Sequence, residues 1–141
     1  MGWVGGGRWL SQEMNRHIMI VDDNPLLRNT IKEILKVTFT TVIISEAFSG
    51  ETMWRIINDR LPDLIFMDIK LGEENGLELT RQIKAKYPDV VIVIFTNHDL
   101  PEYRQKAYRC GAEFFLSKLD SRAQDLTKLA STILNKAKPK L

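Results

Sequence analysis

The chain has 141 residues, with 20 basic and 18 acidic side chains, a net charge of +2 and 44% apolar residues. That is the composition of one globular domain, too short for two and apolar enough to offset the entropy of folding. No run approaches the ~20 apolar residues of a membrane span, the near-zero charge makes no general case for nucleic acid, and the single cysteine, Cys110, excludes a disulfide framework or a cysteine-based zinc cluster.

Residues 1–15 contain Gly5-Gly6-Gly7 and the isolated tryptophans Trp3 and Trp9. They lack a basic stretch followed by an apolar one, so they do not read as a secretory signal. They are expected to be a flexible extension, and Met14 is an alternative start. From residue 16 two patterns alternate. Short, apolar, β-branched runs at His17–Val21, Thr41–Ser45, Leu64–Met67, Val90–Phe95 and Glu113–Leu116 read as strands buried on both faces of a parallel sheet. Helix-period segments lie between them. Asn24-Pro25 caps and starts the first, with Leu27, Ile31, Ile34 and Leu35 inward. Ser49 opens the second, with Met53, Ile56 and Ile57 inward. Gly76 precedes the third, which carries Leu77, Leu79 and Ile83. Pro101 begins the fourth and Gly111 ends it. Asp120 or Ser121 caps the fifth, whose apolar face is Leu126, Leu129, Ala130, Ile133 and Leu134. The domain is expected over 16–136, followed by a basic tail at 137–141.

Five βα units with right-handed crossovers give an α/β fold, an open, mostly parallel five-stranded sheet wound on both faces. Such sheets bind ligands beyond the carboxyl ends of their strands. The residues standing there are Asp22 and Asp23 after the first strand, Asp68 after the third, Thr96 after the fourth and Lys118 after the fifth. One aspartate ending a strand is usually a turn or cap residue. Four strands converging on three carboxylates, a hydroxyl and an ammonium is a different matter. Clustered carboxylates repel and need a cation. An all-oxygen donor set suits Mg²⁺, and the absence of a histidine or cysteine cluster disfavours zinc. With a metal present, the crevice has the parts for phosphoryl transfer to a carboxylate.

Val21-Asp22-Asp23-Asn24-Pro25, Leu64-Ile65-Phe66-Met67-Asp68-Ile69-Lys70-Leu71, Phe95-Thr96 and Gly111-Ala112-Glu113-Phe114-Phe115-Leu116-Ser117-Lys118 resemble the receiver domain of two-component response regulators, over roughly residues 16–136. The resemblance implies a doubly wound (βα)5 flavodoxin-like fold with strand order 2-1-3-4-5. It makes Asp68 the phosphoacceptor, Asp23 a direct Mg²⁺ ligand, Asp22 a ligand through water, and the Lys70 backbone carbonyl a further ligand. Lys118 contacts the phosphoryl group, and Thr96 and Phe115 form the switch. It implies a phosphohistidine donor on a histidine kinase or phosphotransfer domain. Output goes to a protein partner or homodimer through the face made by the fourth helix, fifth strand and fifth helix, and the location is the cytoplasm. No nucleic-acid or membrane contact is expected, and the domain changes its own phosphorylation state rather than turning over an external substrate.

Three departures from the family pattern bear on behaviour. Leu119, not proline, follows Lys118, so a trans bond is expected, since cis costs ~3 kcal/mol without proline. Asn97 after Thr96 is bulkier than the usual residue, which implies a long-lived aspartyl phosphate. Phe115 has no hydroxyl, so its signal is packing alone. His98 reads as a loop residue at the rim, His17 as structural, and Glu73-Glu74-Asn75-Gly76 as a polar turn. Residues 101–141 carry 9 basic and 4 acidic groups, against 11 and 14 upstream. Arg104, Lys106, Arg109, Arg122 and Lys128 give the output face a basic excess. Leu26 lies off the core stripe of the first helix and is expected to meet the kinase. The few residues after the fifth helix favour the expectation of a stand-alone receiver, and a fragment of a longer regulator or hybrid kinase reads the same. The closest alternative is a degenerate receiver acting as a phosphorylation-independent interaction module. A flavin module would need a hydroxyl- and glycine-rich phosphate loop where Asp22-Asp23 stands, and an aspartate-based hydrolase would show sustained turnover.

Overall fold

A computed structural model describes residues 16–136. The two terminal segments expected at 1–15 and 137–141, with Met14, lie outside the described residues. The chain runs β1 (His17–Val21), α1 (Pro25–Thr38), β2 (Ile43–Ala47), α2 (Gly50–Asp59), β3 (Leu64–Met67), α3 (Gly76–Lys86), β4 (Val91–Thr96), α4 (Pro101–Arg109), β5 (Phe114–Ser117) and α5 (Ala123–Lys136). A two-residue antiparallel ladder, Lys70–Leu71 against Glu74–Asn75, sits between β3 and α3.

The five long strands form one parallel sheet in the order β2-β1-β3-β4-β5. The chain leaves β1 toward β2, then crosses back to place β3 on the other side of β1. The crevice at the carboxyl ends of β1 and β3 is therefore the point where the winding reverses.

Alternation along each strand divides the core into two layers. Met19, Val21, Ile65, Met67, Ile92 and Ile94 face α2, α3 and α4. Ile18, Ile20, Leu64, Phe66, Val93 and Phe95 face α1 and α5, meeting Ile31, Leu35, Leu126, Ala130 and Ile133. Both faces of the central strands are covered, so β1 and β3 are buried at every position.

Local chemistry sets the helix starts. The Asn24 side chain accepts from the N–H groups of Leu26 and Leu27, with Pro25 in the first turn. Ser49 and Thr52 form a reciprocal capping box on α2. The Asn75 side chain caps α3, so the polar turn at 73–76 serves as a helix entry. Gly111 adopts φ +104° just past α4, a conformation suited to glycine.

Three expectations are corrected. Three strands are displaced from the sequence reading: β2 by two residues, β4 and β5 by one. β2 and β5 are also edge strands with partly exposed residues rather than strands buried on both faces, because each has a single neighbour in the sheet. Helix α5 starts at Ala123, past both Asp120 and Ser121. Its entry is held by the Asp125 carboxylate, which accepts from the N–H of Arg122 at 2.7 Å.

Candidate phosphoacceptor site

The parallel ladder continues one residue beyond the formal strand ends. The N–H of Asp22 donates to the Ala47 carbonyl at 3.0 Å, and the N–H of Asp68 to the Val21 carbonyl at 3.0 Å. Adjacent strands lie ~4.8 Å apart, so these bonds set Asp22 and Asp68 side by side over the β1–β3 crevice. Asp23 follows Asp22 and takes the N–H of Gly72 on its Oδ2 at 2.9 Å. The carboxylates of Asp22, Asp23 and Asp68 each place an oxygen within 4.8 Å of the others. Asp22 and Asp68 are buried, while Asp23 is exposed.

Lys118 enters from β5. Its backbone N–H donates to the Thr96 carbonyl at 2.9 Å, which anchors the end of β5 to the end of β4. Its Nζ then reaches Asp22 Oδ2 at 2.7 Å and Asp68 Oδ2 at 3.0 Å. The other oxygens have backbone partners: Asp22 Oδ1 accepts from Asn24 N–H at 2.9 Å, and Asp68 Oδ1 from Ile69 N–H at 2.8 Å.

Burial pushes the Asp22 carboxyl above the usual carboxylate range, and the bonds from Lys118 and the Asn24 N–H only partly offset it. Burial alone would pull the Lys118 ammonium down, but hydrogen bonds to Asp22 and Asp68 outweigh it and hold its pKa up. Three acidic groups share one buried cation. The cluster is short of positive charge and offers oxygen donors alone, so it is able to hold a metal ion of the hard, oxygen-seeking kind. The glycine of the α3 entry brings the backbone close. A Cβ on Gly76 would collide with the Asp68 carbonyl oxygen, and the Gly76 N–H donates to the Ile69 carbonyl at 2.6 Å.

A family model described as the response regulator receiver domain matches residues 18–131. This chain belongs to the response regulator receiver family. The receiver is 30% identical over 112 residues to the transcriptional regulatory protein DegU of Brevibacillus brevis, covering 77% of this chain and 48% of DegU. It is 31% identical over 105 residues to the chemotaxis protein CheY of Halobacterium salinarum, covering 74% of this chain and 86% of CheY. The crystal structure of the receiver domain of NtrX from Brucella abortus superposes with a TM-score of 0.75 at 30% identity, over 85% of this chain and 99% of that one. The chain spans about half the length of the first curated relatives it matches. The family and the acidic cluster together make the described domain a phosphorelay receiver, one that acts on its own phosphorylation state and not on an external substrate.

The structure gathers Asp22, Asp23, Asp68 and Lys118 into one cluster, with Thr96 beside it at the end of β4. Thr96 is fully buried, and its Oγ1 accepts from the His98 N–H at 3.2 Å. Lys70 lies in the two-residue ladder beyond Asp68, its side chain exposed. Phe115 packs into the core layer under α4, while Phe114 is part-exposed. The Arg104 guanidinium covers the Phe115 ring at 4.6 Å and binds Asp99 with two hydrogen bonds. Of the basic residues expected on the output face, Arg104 is therefore already engaged within the domain. His98 is exposed and its ring meets Tyr103. Among the described residues no peptide bond is cis, in line with Leu119 after Lys118, and no helix is long and apolar enough to cross a membrane.

Sequence reasoning missed Arg28 and Glu46, which lie beside Asp22 and join the ends of β1 and β2. It also missed Phe48 and Leu119, which with Leu26 and Leu100 stand exposed in the segments directly after β1, β2, β4 and β5. The signal available for the apolar rim was an apolar residue on the carboxyl side of a strand with no place in a core stripe. For the Arg28–Glu46 pair, 18 positions apart, there was none.

Proposed function

We propose that Asp68 accepts a phosphoryl group from a phosphohistidine of a histidine kinase or phosphotransfer domain, in the cytoplasm, and that this shifts a partner-binding face made by α4, β5 and α5. The observation that carries the reading is the Lys118 ammonium bonded to both Asp22 and Asp68 within a three-carboxylate cluster. In that arrangement the chain can hold a nucleophilic carboxylate, a metal and a phosphoryl oxygen within a few ångströms.

Asp23, Asp68 and the Lys70 carbonyl would hold Mg²⁺ directly and Asp22 would hold it through water. Bound there, Mg²⁺ offsets the charge of the incoming phosphoryl oxygens. An oxygen of Asp68 attacks phosphorus in line with the donor nitrogen. The P–O bond forms as the P–N bond breaks, and the bonding pair stays on the donor imidazole. Lys118 exchanges one carboxylate contact for a phosphoryl oxygen. Thr96 gives up the His98 N–H and turns its hydroxyl to another. Phe115, next to the Thr96 strand and under Arg104, transmits that movement to α4 by packing. Hydrolysis by water regenerates Asp68, and Asn97 restricts its approach.

The rim supports docking of a donor protein. Leu26, Phe48 and Leu119 are 75%, 57% and 80% exposed around an acidic pocket, a pattern suited to an apolar partner surface. Leu26→Ala is expected to slow transfer from the donor while leaving small-molecule phosphorylation unchanged. Equal transfer rates would contradict the docking role. Incubation with Mg²⁺ and acetyl phosphate, followed by intact mass, tests the phosphoacceptor itself. A protein that never gains a phosphoryl group is instead an interaction module.

A further inference from the structure

The carboxylates of the site hang on a backbone that Arg28 holds. From the first turns of α1, Arg28 donates through Nη1 to the Asp22 carbonyl oxygen at 2.6 Å. Its Nε donates to Glu46 Oε1 at 3.2 Å, and Lys32 Nζ approaches Glu46 Oε2 at 3.4 Å. The Arg28 side chain is only 14% exposed. On the other side of the same residue, the Asp22 N–H donates to the Ala47 carbonyl. Asp22 is thus tied to the end of β2 twice, once directly and once through the Arg28–Glu46 pair.

The Asp22 carbonyl belongs to the planar peptide unit that ends in the nitrogen of Asp23. Holding its oxygen fixes that plane, and the plane sets the direction in which both acidic side chains leave the backbone. Asp23 is the least buried of the three carboxylates, with the Gly72 N–H bonded to its Oδ2. A peptide free to rock would move Asp23 relative to Asp68.

We propose that Arg28, backed by Glu46, is a positioning residue for a divalent cation at the acidic cluster: it locks the Asp22–Asp23 peptide so that both carboxylates meet Asp68. This rests on the reading of the cluster as a Mg²⁺ site. Charge alone makes the opposite prediction, because a guanidinium beside the cluster repels a cation. The sign of the effect therefore separates the two.

The test is calorimetric titration of the full purified chain with Mg²⁺, in wild type, Arg28→Met and Arg28→Lys, with melting temperatures measured alongside. Arg28→Met is expected to weaken Mg²⁺ by about tenfold, the scale seen when a group that orients a metal ligand is removed. Arg28→Lys keeps the charge but cannot bridge the Asp22 carbonyl and Glu46 in one fork, and is expected to fall between. Tighter Mg²⁺ binding in Arg28→Met would show charge repulsion and overturn the proposal. A lowered melting temperature with unchanged Mg²⁺ affinity would make Arg28 a structural tie alone and also overturn it. Should Arg28→Met not fold, Arg28→Lys decides, since wild-type affinity there contradicts the positioning role. A wild-type chain that does not bind Mg²⁺ overturns this inference and the metal-site reading together.

Discussion

Gly76 and Asp68 touch through their backbones. The start of α3 lies so close to the end of β3 that a Cβ at position 76 would collide with the Asp68 carbonyl oxygen and stand 3.1 Å from Ile69 Cα. Backbone cannot swing aside as a side-chain tip can. Gly76→Ala is therefore expected to displace the Asp68 loop, lowering both the melting temperature and Mg²⁺ affinity. Gly72 is the control. It sits at φ +60° with nothing within 4 Å of an added Cβ, so Gly72→Ala should cost only the ~1–2 kcal/mol of a left-handed alanine. Thermal melts of the two variants, with and without Mg²⁺, check the ranking. Equal effects would refute the close-approach account.

Asp22 is expected to oppose stability in the metal-free protein. Its carboxyl is raised above its ordinary value of 3.8, first by burial. For a group raised in the folded state, the stability contribution is complete below the unfolded pKa and is lost as pH rises through the folded one. Asp22→Asn removes that loss. Its melting temperature should exceed that of wild type at about pH 7 without Mg²⁺, and the gap should close as pH falls toward 3.8. The same variant should gain less from Mg²⁺. A variant that melts below wild type at neutral pH without metal would contradict the dominance of burial over the Lys118 bond.

How much of this was legible beforehand divides along physical lines. β1 and β3 are legible to the residue because central strands are buried at every position, and apart from His17 theirs are apolar throughout, so no neighbouring register reads as well. β2 was read two residues early because Thr41 and Val42 are β-branched while Glu46 and Ala47 are not. Pairing decides the matter instead: Ile43 stands opposite His17, and His17 Nε2 meets Ser45 Oγ at 2.6 Å. The acidic residues and Lys118 were legible because each lies at the carboxyl end of a strand. Arg28, Glu46 and the Arg104–Phe115 contact were not, since each depends on packing between elements that no local pattern encodes.

Asn97 follows Thr96 at the rim and is exposed. If it restricts the approach of water to an aspartyl phosphate, Asn97→Ala should shorten the lifetime of the phosphorylated protein. Radiolabel loss from purified, phosphorylated samples of both proteins measures it. An unchanged or longer lifetime in the variant would contradict the role.

Arg104 covers the Phe115 ring and is held by Asp99. Arg104→Met should loosen the ring without disturbing the acidic cluster. Ring signals of Phe115 in NMR spectra should broaden or shift, while Mg²⁺ affinity stays at the wild-type value. A loss of Mg²⁺ affinity would place Arg104 in the site and not over the switch.

The central claim is that Asp68 is the phosphoacceptor, and the most direct measurement is intact mass after incubation with Mg²⁺ and acetyl phosphate. The account predicts a gain of about 80 Da, one phosphoryl group, which disappears in Asp68→Asn and when Mg²⁺ is chelated. The same gain in Asp68→Asn, or no gain in the folded wild-type protein, would contradict it.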